Sequence, residues 1–537
     1  MGDEQDVNST SPRSRMRYCP PLEYEWRGSP AVLGKRRAVD RWLARSIYCF
    51  LIIFVLAAPH SIAVTQIAYS VAMFLWVIRC LLGGTSPLPQ RLAWPLLAFL
   101  LLSATSTAFS FAPAESWAQM KKVPLLLVAV LWFQNTISIR QVKWLSGILI
   151  ASCFLNVAYT GWQYTFGIGA KLGSIRPASG LARRGLQEGD MISLVGGHRV
   201  REREQLLQAL ADSELESTVR LTVLRGVPRE RIHLDLDRAA ISEMYAGIAG
   251  GQLLVSRGHP LRAQGFYDHY VTYADVLVQI ALMAFALFVT CPMGNLNRKL
   301  LLGFAVLGMT SALWLTLTRA AMASFLLGCV LVVFVAGRGS MRLLMVGLAV
   351  LAVAVGGVLL QRSRGLGWLN LRSPEAEYRL LMWKDGFRLI HEYPWLGIGM
   401  GSLKDHWQAF HIEAFQKFPL RSHFHSSPMQ IAVERGLLTL AAWLWFLVGY
   451  FRILIKLLRM TTEADWHVRA LALGLGSATC AFLLGSLTDY NWGDSEVVMV
   501  FWMFVGWALA LERSLDRIKD SAEVAPRGSA TTQRSLA

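Results

Sequence analysis

YVTYADVLVQIALMAFALFVTCPMGNLNRKLLLGFAVLGMTSALWLTLTRAAMASFLLGCVLVVFVAG, residues 270–337, contains three apolar runs that decide the fold. The runs 270–291, 299–317 and 319–337 each have roughly the 17–25 residues needed to cross a hydrocarbon core. Arg298 and Lys299 mark the first connection, and Arg319 sits alone in the tight turn of the second. Working outward, similar runs fall at 43–59, 62–82, 92–111, 122–137, 143–165, 341–361, 436–455, 468–487 and 495–512. The expected fold is therefore an all-α polytopic membrane protein of about twelve spans.

Composition agrees. Hydrophobic residues make up 54% of the 537, charged residues only 17%, and mean hydropathy is +0.39. A soluble fold of this size would need more charge to cover its surface. The net charge of +17 would suggest a nucleic-acid partner in a soluble protein, but here the cations collect in particular loops, so no nucleic acid is expected. The first 45 residues carry nine Lys or Arg, too long and too charged for a signal-peptide head, so the first span is expected to be retained. With the N-terminus in the cytoplasm, the even connections are cytoplasmic. They hold Arg79 and Arg91, Arg140 and Lys143, Arg298 and Lys299, Arg338 and Arg342, and a run from Arg452 to Arg469. Lys121 and Lys122 are a small exception on the other side. Both termini are expected to face the cytoplasm of a bacterial inner membrane. The seven cysteines fall in no outside loop and show no metal-ligand spacing, so no disulfide framework follows.

This reading divides the chain into a tail (1–42), spans 1–5 (43–165), a soluble insert (166–238), a linker with spans 6–9 (239–361), a second long outside loop (362–435), spans 10–12 (436–512) and a second tail (513–537). Within the insert, Val219-Leu221-Val223 and Ile232-Leu234-Leu236 alternate around Gly226 and Pro228, a hairpin signal. Gly185-Leu186, Gly189-Asp190, Ile192, Val195 and Gly197 resemble the core signature of a bacterial PDZ domain. That resemblance implies an α/β fold that binds extended peptides at a strand edge, with Gly167, Ile168 and Gly169 as the carboxylate-binding loop and a peptide or protein as partner. A docking module without a peptide ligand fits the same residues.

The polar residues with most chemical promise lie in Ser422-His423-Phe424-His425-Ser426 and Glu434-Arg435-Gly436-Leu437-Leu438-Thr439. His425, Ser426, nine residues, then Gly436 and Thr439 resemble the pattern of bacterial O-antigen ligases and polymerases. Arg262, before span 6, and Arg319 match other parts of that family pattern, as do Arg379, Trp383 and the glycine-spaced run Gly397, Gly399, Gly401. Asp489 lies outside near the same face. A lone His at a membrane interface more often packs than reacts. An arginine at the apolar boundary is more often functional, although it can also snorkel to the headgroups.

The resemblance implies a glycosyltransferase that takes a glycan from an undecaprenyl-diphosphate carrier to an acceptor hydroxyl, either lipid A core or another. It further implies that His425 deprotonates the acceptor and that Arg262 and Arg319 hold the diphosphate. His423, Arg379 and Asp489 are secondary candidates. The resemblance also implies a reaction that inverts the anomeric carbon and needs no metal or cofactor. Ligase, polymerase and protein glycosyltransferase share these residues. A transporter or PDZ-bearing scaffold is the competing class, but no internal repeat supports the transporter. No His-Glu-x-x-His or Gly-x-Ser-x-Gly motif supports a protease.

Overall fold

A computed structural model of the chain describes residues 30–524 apart from 83–88, 178, 214–216, 227–228, 338, 340–341, 344–346, 348–373, 419–422 and 462–464. Among the described residues, nine helices are long and apolar enough to cross a membrane. The protein is a multi-pass, mostly helical membrane protein with a small sheet-containing insert. The helices are α1 (Pro30–Ala57), α2 (Ile62–Leu81), α3 (Gln90–Ala108), α4 (Pro113–Met120), α5 (Leu127–Asn135) and α6 (Ile139–Phe166), then α7 (Gly180–Arg183), α8 (Arg203–Asp212) and α9 (Arg238–Ala249) of the insert. After it come α10 (Tyr270–Thr290), α11 (Leu296–Leu315), α12 (Arg319–Ala336), α13 (Pro374–Glu392), α14 (Ser402–Asp405), α15 (Glu413–Lys417), α16 (Ser427–Met460), α17 (Trp466–Ser486) and α18 (Ser495–Val524).

Helices α10 and α18 are apolar all round and mostly buried, so they form the interior of the bundle. α10 packs against α17, α12 and α11. By contrast α2 and α11 leave large apolar side chains such as Phe74 and Leu307 exposed, which lipid rather than water would solvate.

The expected span 122–137 is not a continuous helix. Pro124 lacks an amide hydrogen, and the chain makes a 3-10 turn at Val123–Leu126 before α5, whose nine residues reach only about 14 Å. α5 is instead a buried half-helix on α18, with the Trp132 and Trp507 rings 5.7 Å apart and edge to face. The expected span 341–361 lies outside the described residues except for 342, 343 and 347. The expected span 436–455 begins earlier: α16 starts at Ser427 and breaks at Gly436, where φ is +80°.

The insert is a six-stranded antiparallel sheet of β1 (Gly169–Leu172), β2 (Met191–Val195), β3 (His198–Arg199), β4 (Thr218–Arg225), β5 (Glu230–Asp237) and β6 (Val255–Gly258). Its order is β5-β4-β2-β1-β6, with β3 paired to β2. The alternating residues read from sequence face one another across the β4–β5 hairpin, as Val219↔Leu236, Leu221↔Leu234 and Val223↔Ile232. Buried Asp190 is held by the Arg225 guanidinium at 2.6 Å. The folded insert runs past residue 238, because α9 covers the core with Ile241 and Met244 and β6 completes the sheet.

Candidate active site

Three segments far apart in sequence meet at the insert end of the bundle: α13, the loop before α16, and the loop between α17 and α18. Ser426 accepts a hydrogen bond from the Met429 amide and caps α16, with Pro428 in the first turn. A short polar residue after His425 therefore starts this helix. Ten residues later Gly436 takes a positive φ, and a Cβ there would lie 2.0 Å from the Trp395 carbonyl oxygen. Leu437 N donates to Pro394 O at 2.7 Å, and Ile398 N to Val433 O at 2.9 Å. The glycine-spaced run is thus laid against the break in α16, and Thr439 Oγ1, buried, donates back to Arg435 O.

The histidine loop is fixed from two sides. Trp383 Nε1 donates to Phe424 O at 3.1 Å, and Phe424 N donates to Gln430 Oε1 at 2.9 Å, with Phe424 fully buried. Its neighbour His425 has φ +49°, a strained conformation for a residue with a Cβ. His423 Nδ1 accepts the His425 amide at 3.1 Å, which leaves Nε2 to carry the proton of the neutral ring. That Nε2 stands 3.9 Å from Asp489 Oδ1, and His425 Nδ1 stands 3.8 Å from the same oxygen. Both are ion-pair distances, longer than a hydrogen bond. Asp489 Oδ1 accepts the Tyr490 amide at 2.8 Å, and Ser427 Oγ donates to Asp489 O at 3.3 Å. Arg379 joins the cluster from α13, donating to Thr488 O at 3.3 Å.

Burial, then the neighbouring His425, Arg379 and Lys404, pushes His423 down to about 4, although Asp489 opposes them. For Asp489, burial acts upward, but the two histidines and the Tyr490 amide outweigh it and hold the carboxyl below its ordinary range. His423 and Asp489 open onto a cavity of about 590 Å3, whose lining includes Lys122, Lys404, His269 and Arg435.

Arg435, within the motif that runs from Glu434 to Thr439, is a further candidate to hold an anion. It is buried, its guanidinium carbon lies 5.4 Å over the Phe99 ring, and its Nε and Nη1 lack hydrogen-bond partners among the described residues. Asp494 and Glu496, at the start of α18, also line this cavity and carried no motif. Arg262, Arg319 and His425 do not line it. Arg262 stacks 4.3 Å over the Tyr270 ring. The next residue, Ala263, donates to Leu315 O at 2.9 Å, so the segments bearing Arg262 and Arg319 are tied together. Leu317, two residues before Arg319, is another positive-φ residue, at +55°.

His423, His425 and Asp489 could also hold a metal ion, since one ligand atom from each lies within 4.8 Å of the others. The loop Gly167-Ile168-Gly169 has a different setting. Ile168 N donates to Gly258 O at 2.8 Å and Gly169 pairs with Gly258, so β6 fills the strand edge to which a peptide would add.

The described residues thus form a bundle of membrane helices with a His–His–Asp cluster and a buried arginine at one end. The sequence model of the family described as O-antigen ligase matches residues 280–444, so this segment is similar to the domain of that family. The matched segment includes Arg319, Arg379, His423, His425 and Arg435 and stops short of Arg262, Asp489 and the insert. No curated protein matches the chain.

Proposed function

We propose that the protein transfers a glycan from an undecaprenyl-diphosphate carrier to an acceptor hydroxyl on the periplasmic side of the bacterial inner membrane, as the O-antigen ligation step onto lipid A core. The observation that carries this reading is the sharing of Asp489 by His423 and His425, with His423 and Asp489 opening onto a cavity that Arg435 also lines. His425, oriented by the carboxylate, takes the acceptor proton as the hydroxyl oxygen attacks the anomeric carbon. The bond from that carbon to the diphosphate oxygen breaks with its electron pair, and the configuration inverts. Arg435, with Arg262 and Arg319 from the adjoining segments, stabilises the charge on the departing diphosphate.

The reaction as proposed needs no metal. Arg379 and Lys404 bear on His423 as cations, an environment that opposes binding of a further cation between the two histidines and Asp489. Transfer measured after EDTA treatment is expected to be unchanged, and loss restored by a divalent ion would assign the triad to metal binding.

A disruption strain tests the transfer reading. Intact polymer stranded on the lipid carrier is the expected result. Single repeat units on lipid A core would make the protein a polymerase, and unchanged lipopolysaccharide with an under-glycosylated protein would make it a protein O-oligosaccharyltransferase.

A further inference from the structure

A second cavity of about 670 Å3 lies where the insert meets the bundle, bounded by the sheet, the end of α6 and residues 264–268. One side of it is aromatic. Tyr159 stacks on Phe266 with centroids 4.0 Å apart and planes 7° from parallel, and on Trp162 at 5.8 Å and 13°. The other side is cationic, with Arg199, Arg201, Arg229 and Arg231. Among the described lining residues Asp268 is the sole acid. Arg201 lies 4.3 Å over the Trp162 ring. Half-buried Arg229 donates to Gln264, a neutral partner, so burial is not compensated by a carboxylate.

A further observation points to a ligand. Gln163 lines this cavity and is 4% exposed, and its Oε1 has no hydrogen-bond partner among the described residues. A buried amide oxygen in this position lacks a donor, which a hydroxyl of a bound molecule would supply. Flat rings that pack against C–H faces, an orphan acceptor and several guanidinium groups together match a sugar that carries a negative charge. Addition of a peptide strand beside Gly167–Gly169 is closed off, since β1 is paired on both edges, to β2 and to β6.

We infer that this cleft is a binding site for an anionic saccharide, a sugar bearing a phosphate or carboxylate, built jointly by the insert and the bundle. It is separate from the His423–Asp489 cavity and adjoins it through consecutive lining residues, Asp268 and His269. That the saccharide is the acceptor of the transfer rests on the function proposed above; its binding does not.

The test uses the full-length protein in phosphatidylcholine nanodiscs, with trehalose 6-phosphate as probe and trehalose as the uncharged control, followed by calorimetry. Saturable binding of the phosphate ester is expected, weakened about tenfold or more by Arg199→Gln with Arg231→Gln, and by a similar factor for trehalose itself. Both arginines are exposed, so the double variant should fold. Phe266→Ala is expected to weaken binding without changing charge. His425→Ala should bind the probe normally, which separates this site from the transfer reaction. Equal affinity of the wild type and the double arginine variant would overturn the inference. So would loss of probe binding in phosphatidylglycerol nanodiscs, which would assign the cleft to lipid headgroups. Tighter binding of a hexaglutamate peptide than of the sugar phosphate would assign it to acidic peptides and would overturn it equally.

Discussion

His425 Nδ1 lies 3.8 Å from Asp489 Oδ1, and the two are brought together from opposite sides of two complete helices, α16 and α17. The same oxygen faces His423 at 3.9 Å, so one carboxylate orients two imidazoles. In the proposed transfer one of them takes the acceptor proton. The strained backbone at His425 marks it as the ring whose direction is enforced. His425→Ala is expected to lower transfer by about 100- to 10,000-fold with normal membrane insertion, measured on a lipid-linked donor. His423→Gln should fall much less, and the reverse order would exchange their roles.

The burial of His423 gives a pH signature. Its pKa is lowered in the folded protein, so the folded state binds the proton less well than the unfolded chain. The stabilising contribution is therefore complete above the ordinary value of 6.5 and is lost as pH falls towards about 4. Thermal melting between those limits should fall more steeply in the wild type than in His423→Gln, whose side chain does not titrate. Parallel curves would show that another group dominates.

Arg435 separates binding from stability. A buried guanidinium with unbonded donors contributes little to the fold, so Arg435→Met should leave the melting temperature unchanged or raised. The KM for the lipid-diphosphate donor should rise about tenfold or more in Arg435→Lys, because an ammonium cannot grip two phosphate oxygens as a planar fork does. A KM equal to that of the wild type would remove Arg435 from donor binding.

Gly436 tests the break in α16. An added Cβ meets the Trp395 carbonyl at 2.0 Å and also opposes φ +80°, so Gly436→Ala should destabilise the solubilised protein by about 2 kcal/mol or more. Its transfer rate should drop as well, since the glycine-spaced run bonded to α16 around this break would shift. An unchanged melting curve would show that the backbone relaxes freely there.

Much of the molecule was legible in its letters. The spans around α10, α11, α12, α17 and α18 follow from uninterrupted apolar runs, and the β4–β5 hairpin from strict alternation at Val219–Val223 and Ile232–Leu236. The motif from His425 to Thr439 was legible as a pattern, although its mechanical sense was not. Ser426 caps a helix, Gly436 breaks it, and Thr439 bonds back to the turn beside the break. The half-helix α5 was misread as a span because its apolar composition outweighed Pro124, which marks where the helix begins only after a turn. The insert was read as ending at residue 238, because β6 is only four residues long and joins the sheet beside β1, far from it in sequence.

The sequence by itself determined a membrane protein of many helices, an α/β insert and the motif at His425. Hydropathy and alternation are local sums along the chain, and a string of residues carries them whole. Only the tertiary structure decided that Asp489 serves both histidines, that Arg435 opens on their cavity, and that β6 occupies the strand edge beside Gly169. Those relationships depend on how three separate segments pack at one end of the bundle and on which strand pairs with β1. Side-chain packing between distant segments leaves no periodic signal in either of them.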